Sequence, residues 1–267
     1  MSLIEHIKER IEDKEFSEHV ENYSFTRKEF VRVYAVGITF SGVDFSQCSF
    51  NSCYFRNCRF IRCNFTGSSF KESYLRGSTF PESIFKYTTF EKSPMDDRFL
   101  DAALPAEENL ARDLVRSLRV NFSQIGNYEA VNKASAIEVQ LTGAHLYKAA
   151  YSREAYYRGK EHYSGWKRVN FIAHHAQWKF LDLLWGNGES LRRVIVSSNL
   201  FILFIAALNW LENPISILKS TELSFYQFLG IVTCNDVSHT YVALLTIGRL
   251  IFFSLFISIL IKRLSKR

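Results

Sequence analysis

Residues 48–70 read CSFNSCYFRNCRFIRCNFTGSSF. Phenylalanine returns at every fifth position, Phe50, Phe55, Phe60, Phe65 and Phe70. A small residue stands two places before each: Cys48, Cys53, Cys58, Cys63 and Ser68. A period of five matches neither a helix nor a strand, so no single element carries it. The large column extends back through Phe45, Phe40, Ala35, Phe30 and Phe25, and forward through Leu75, Phe80, Phe85 and Phe90. The small column continues as Ser73, Ser78, Ser83, Thr88 and Ser93, while the other three positions are mixed and mostly polar. A solenoid satisfies this pattern. Each step turns a corner and points its large residue inward, and only a small side chain fits beside a phenylalanine at close-packed density.

The pattern small–polar–Leu/Phe–x–x resembles the pentapeptide-repeat family over residues 23–95. The resemblance implies a right-handed, quadrilateral β-helix with four repeats per coil. About three and a half coils then stack to roughly 17 Å at a strand spacing near 4.8 Å. Tyr23, Lys28 and Ile38 occupy small positions and mark an atypical first coil. Ile4, Ile7 and Ile11 lie at helical spacing and predict a helix within residues 1–22 that caps the open edge. The four regularly spaced cysteines lack the paired, closer spacing of zinc ligands, and serine continues their column. Cys48, Cys53, Cys58 and Cys63 are therefore expected as buried, reduced, structural thiols, with Phe45, Phe50, Phe55, Phe60 and Phe65 as the repeat core and no metal. Reduced thiols fit a reducing compartment.

Residues 96–190 read as an α-helical linker domain. Leu110, Leu114, Leu118 and Phe122 share one face of a helix beginning near Pro105, and Gly126-Asn127 breaks it. Val131, Ala134, Ile137 and Leu141 stripe a second helix running towards Arg158. A third runs from Trp166 to Trp185, mixing Phe171, Phe180 and Leu183 with Lys167, Arg168 and Lys179. That mixture fits either ordinary packing or a segment lying on the inner membrane surface. His174 and His175 are neighbours about 100° apart on a helix, a poor geometry for one metal. No catalytic constellation stands out, so neither an enzyme nor a cofactor is expected.

The remaining residues, 191–267, change character. Val194 to Leu211 is free of charge, and Thr240 to Ile261 carries only Arg249. Arg192 and Arg193 precede the first run; Lys262, Arg263, Lys266 and Arg267 follow the second. Two transmembrane α-helices with both termini cytosolic satisfy the excess of positive charge on the inner side. Between them, TELSFYQFLGIVTCND resembles the re-entrant pore segment of two-span, potassium-channel-like proteins. Pentapeptide repeats joined to such a domain resemble a bacterial inner-membrane architecture. The resemblance places Thr233, Cys234, Asn235 and Asp236 at the filter, with a tetramer as the expected homo-oligomer. Glycine is missing from these positions, so a ladder of carbonyls selective for potassium is not expected.

Arg249 lies deep in the second span, where a charge faces a bundle interior or a water path. Three readings stay open. It pairs with Asp236 or Glu222, it lines a pore, or the span begins later and leaves it near the outer interface.

The chain thus reads either as a channel-like protein controlled by its solenoid, with membrane depolarisation in defence or toxicity as an extension from architecture, or as a membrane-anchored interaction scaffold with a vestigial pore segment. The partners expected are the lipid bilayer, further copies of the chain, and an unidentified protein or ligand on the β-helix. The net charge of +6 sits largely beside the spans and meets anionic headgroups, so nucleic acid is not expected.

Overall fold

Parallel strands 20 residues apart in sequence stack directly on one another: Phe30 pairs with Phe50, Phe50 with Phe70 and Phe70 with Phe90. The structure is a computed structural model and describes residues 8–212, 215–232 and 238–264. The strands are β1 (Glu9–Glu12), β2 (Val20–Glu21), β3 (Lys28–Val31), β4 (Tyr34–Val36), β5 (Thr39–Ser41), β6 (Ser49–Asn51), β7 (Tyr54–Arg56), β8 (Arg59–Ile61), β9 (Ser69–Lys71) and β10 (Thr89–Glu91). One face stacks β1-β3-β6-β9-β10, a second β4-β7, and a third β2-β5-β8. Single bridges Ser24–Asp44, Asp44–Asn64 and Asn64–Ile84 build the fourth. The result is a four-sided β-solenoid of about four turns.

The solenoid starts earlier than the period predicts. Within residues 8–22 the expected capping helix is replaced by β1 and β2; residues 1–7 lie outside the described residues. β1 pairs with β3 at an offset of one residue less than the later coils, Ile11 opposite Phe30, whereas Val20 already stands opposite Phe40. One corner between Phe16 and Val20 is therefore a residue short. There Thr39 N–H bonds to His19 Nδ1 at 3.0 Å, a side chain standing where a backbone carbonyl serves in later coils.

Inside, the phenylalanines form stacked columns. Rings of Phe30, Phe50, Phe70 and Phe90 follow one another at 4.9, 4.6 and 5.0 Å, within 8° of parallel. Neighbouring columns meet edge to face, the geometry that the ring quadrupole favours. Each corner then needs a left-handed residue, and Gln47, Ser52, Asn57 and Arg62 adopt positive φ in sequence.

The upper end is closed by helices. In α1 (Phe99–Ala102), the Phe99 ring meets Phe80, Phe85 and Phe90 at 5.3, 4.7 and 5.4 Å, plugging three columns at once. α2 (Glu108–Gln124) buries Leu110, Leu114, Leu118 and Phe122. α3 (Tyr128–Tyr151) starts at the break after Gly126, with Asn127 capping Ala130 N–H. α2 also satisfies the open strand edge with three side chains. Phe90 N–H donates to Ser117 Oγ at 2.9 Å, and Lys92 N–H to Gln124 Oε1 at 2.9 Å. Asn121 both accepts from Ser93 N–H at 2.7 Å and donates to Ser93 C=O at 2.8 Å.

The chain divides into two compact units, Met1–Tyr157 and Arg158–Arg267. The expected boundary at residue 95 and the expected linker 96–190 do not coincide with this division, because α1 to α3 extend the core of the solenoid. After α4 (Ala155–Arg158) and a 3-10 turn, the second unit holds α5 (Gly165–Trp185), α6 (Leu191–Glu212), α7 (Ile217–Leu229) and α8 (His239–Leu264). α6 and α8 are long and apolar enough to cross a membrane, over Leu191–Leu211 and His239–Lys262.

Candidate functional site

Two places concentrate polar groups away from water: the small column of the solenoid and the helices α6 to α8. In the solenoid, Cys53, Cys58 and Cys63 Sγ each meet a carbonyl of the coil below, those of Phe30, Ala35 and Phe40, at 3.4 Å. Cys48 Sγ meets that of Phe25 at 3.1 Å. Serine continues the ladder more tightly, with Ser73 Oγ donating to Phe50 C=O at 3.0 Å and accepting from Cys53 N–H at 3.1 Å. All four cysteines are free and buried, as are Phe45, Phe50, Phe55, Phe60 and Phe65. Burial pushes the Cys48, Cys53 and Cys63 thiols up to about 11, and raises Cys58 as well. These thiols are structural and poorly nucleophilic.

In the second unit an apolar core of Val194, Ile202, Ile205, Phe228, Leu245, Phe252 and Ile259 is joined by a buried polar stripe on α7. α7 has 13 residues, about 20 Å at 1.5 Å per residue, too short to cross a hydrocarbon core of about 30 Å. It buries Ser220, Ser224 and Gln227 with Phe228, while Ile217, Leu218, Phe225 and Leu229 are exposed. The buried polar stripe is bonded. Ser220 Oγ donates to Ala206 C=O of α6 at 2.7 Å, and Tyr241 Oη of α8 donates to Gln227 Oε1 at 2.6 Å. Ser224 Oγ lies 3.3 Å from the same Tyr241 oxygen. α6 and α8 approach closely where Phe201 packs on Gly248; any side chain there would overlap the ring. At the other end Lys262 of α8 pairs with Glu189 and bonds Gly188 C=O at 3.4 Å, so the end of α8 lies beside the start of α6.

Arg249 is half-buried with Nη1 over Gly230, where an added methyl would stand 2.9 Å from it. Gly230 is the left-handed cap of α7, so the guanidinium sits at the negative end of that helix dipole. Among the described residues no ion pair joins Arg249 to Glu222. Thr233, Cys234, Asn235 and Asp236 lie outside the described residues. The stripe Ser220, Ser224, Gln227, with its partner Tyr241, was not singled out from sequence. Its signal was there in the spacing of four and then three residues, the spacing of one helix face.

α5 has no buried residue, and Trp166, Phe180 and Leu183 are exposed along it. Its left-handed cap, Gly186, turns the chain sharply into α6. Arg193 then folds back to pair with Asp182 and to donate to its carbonyl at 2.6 Å.

The family model described as pentapeptide repeats, in 8 copies, matches residues 38–77 and 58–93. A pentapeptide repeat protein from the cyanobacterium Cyanothece 51142 is similar at 8% identity and TM-score 0.19, covering 33% of this chain and 86% of that one. QnrB1, a plasmid-mediated fluoroquinolone resistance protein, is similar at 12% identity and TM-score 0.12, covering 34% and 73%. No curated protein matches the chain. With the period of five, the 20-residue strand register and the match of the family model in agreement, the N-terminal solenoid is a pentapeptide-repeat β-solenoid.

Proposed function

We propose that this chain is an integral membrane protein in which the pentapeptide-repeat solenoid is coupled to an oligomeric, pore-type domain formed by α6, α7 and α8. The observation that carries the reading is the inverted polarity of α7. A short helix between two spans turns Ser220, Ser224 and Gln227 towards its neighbours and its apolar side chains outward. In water this arrangement exposes the wrong face. In a bilayer Ser220, Ser224 and Gln227 are bonded internally while Ile217, Leu218, Phe225 and Leu229 meet lipid or a second copy, and the exposed Lys219 and Glu222 of the same helix need headgroups or water. The cation at the end of α7 argues against cation selectivity, because a ring of Arg249 side chains around an axis repels cations.

Purified full-length protein in planar bilayers tests this. The expected result is a conductance whose ion selectivity shifts when Arg249 is replaced by leucine. Monomers in detergent with no conductance, both with and without the substitution, refute the pore.

The second reading is a membrane-anchored interaction scaffold. It is favoured by the ladder of Tyr34, Tyr54 and Tyr74 on one outer face of the solenoid, stacked at 5.2 and 4.9 Å. Such a flat aromatic strip suits a protein partner. A chain ending near Ser190 that keeps full cellular activity supports the scaffold against the pore.

A further inference from the structure

Between α5 and α6 the second unit holds a groove of about 890 Å3. Its walls are apolar, with Phe180 and Leu183 from α5 and Val196 and Leu200 from α6, all exposed. Two cations, Lys179 and Arg192, stand along it, and neither has a carboxylate partner among the described residues. The groove's one acidic lining residue, Asp182, is already engaged by Arg193. Arg192, Val196 and Leu200 are four residues apart, so one stripe of α6 carries the charge at the first turn and hydrocarbon beyond it. That stripe continues onto the exposed Leu203 and Phe204 of the span.

We infer that this groove binds one anionic phospholipid of the bilayer, its phosphate held by Lys179 and Arg192 and an acyl chain lying on Phe180, Leu183, Val196 and Leu200. The inference rests on the membrane reading above. Charge selects the occupant: two uncompensated cations beside an apolar wall suit a phosphodiester that carries hydrocarbon. Continuity selects it again, because the apolar floor runs on into the surface of the span. A soluble anion would leave that floor wet, and a zwitterionic lipid brings its own ammonium beside the phosphate, so it neutralises the two cations less well than an anionic one. Basic residues near a membrane surface attract anionic lipid, and two of them give a preference of roughly tenfold or more.

The test uses full-length protein in phosphatidylcholine nanodiscs containing a trace of photoreactive phosphatidylglycerol, with cross-links mapped by mass spectrometry. Cross-links are expected within residues 175–200. Unlabelled phosphatidylglycerol should displace them at roughly tenfold lower content than extra phosphatidylcholine. The double variant Lys179→Gln, Arg192→Gln should lose that difference. Val196→Trp, which fills the groove and keeps both charges, should lose the cross-links themselves. Equal competition by the two lipids, an undiminished preference in the double variant, or equal displacement by inorganic phosphate overturns the lipid site while leaving membrane insertion intact. A chain that does not enter nanodiscs at all overturns the membrane reading and this site with it.

Discussion

Replacing Ser73 by alanine isolates what the small column contributes beyond its size. Ser73 is fully buried, and its hydroxyl accepts from Cys53 N–H while donating to Phe50 C=O. Alanine keeps the volume almost unchanged, so no cavity confounds the comparison. It leaves the Cys53 amide without a partner inside the solenoid, and the carbonyl loses one of two acceptor positions. A buried donor left unsatisfied costs about 1–3 kcal/mol, and we take about 2 kcal/mol. For a unit of this size that lowers Tm by about 4–8 °C. Ser73→Cys serves as the control. One coil below, Cys53 already makes the equivalent contact at 3.4 Å, so sulfur is accepted in this column. The cysteine variant should lose under about 1 kcal/mol, because its weaker bonds remain in place.

Thermal melting of the full chain, together with hydrogen exchange read on peptides covering residues 50–55, measures both variants. Faster exchange confined to that segment in Ser73→Ala, with near-normal protection in Ser73→Cys, is the expected pattern. A wild-type Tm in the alanine variant refutes the hydrogen-bond ladder. Equal losses in the two variants refute it as well, because the effect would then follow from packing.

The raised thiols set a pH dependence. In the unfolded chain they ionise near their ordinary value of 9.0, in the solenoid only near 11. Between these values the folded state binds more protons, so stability falls as pH rises from about 9 to 11. Denaturation at pH 8 and pH 10 should show the drop, and replacing Cys48, Cys53, Cys58 and Cys63 together by serine should shrink it. Asn121→Ala strips both groups of the Ser93 peptide and should destabilise the first unit by about 2–4 kcal/mol in chemical denaturation. Asn121→Leu should be no better, which separates lost bonding from lost bulk. Gly77 has φ +75°, and a methyl there would stand 1.9 Å from Asn57 Oδ1. Gly77→Ala should cost about 1–2 kcal/mol through the left-handed backbone, measured the same way.

The period of five was legible because the phenylalanine column runs with one large residue per corner and no insertions from residue 40 to 90. It failed below residue 23 for a local reason. Ile11, Phe16, Val20 and Phe25 point inward at spacings of five, four and five, and the short corner shifts the phase. A fixed-period reading then sees only scattered apolar residues, which mimic a helix. The lid was half legible. The apolar face of α2 follows from Leu110, Leu114, Leu118 and Phe122, but Ser117, Asn121 and Gln124 look like a solvent face in sequence. Only the strand edge beneath them reveals that they replace a further coil. For the same reason the unit boundary could not be read at residue 95: α1 and α2 have helical patterns while belonging to the core of a β-structure. In the second unit the spans follow from hydropathy, but the lining of α7 does not. The spacing of Ser220, Ser224 and Gln227 puts them on one helix face, but an apolar run carries no sign of whether that face turns inward.

The orientation of those side chains bears on the membrane placement proposed for the second unit. A core helix of a soluble protein is mostly buried, whereas only 33% of the α6 span and 22% of the α8 span are buried. Leu211, Leu250 and Ile261 are each more than half exposed, as is Leu218 on α7. In water these leucines and isoleucines would lie exposed along α6, α7 and α8. A soluble fold would also spend its scarce interior on Ser220, Ser224, Asn209 and Gln227, the residues best suited to its surface. Both features reverse sign in hydrocarbon. The polar groups then belong inside, where the Ala206 carbonyl bonds Ser220 and Tyr241 bonds Gln227, and the leucines belong outside. The ionic contact of Lys262 with Glu189 falls at the ends of the spans, beside Arg192 and Arg193, where headgroups and water begin. One physical environment thus accounts for the buried serines, the exposed leucines and the charged ends together.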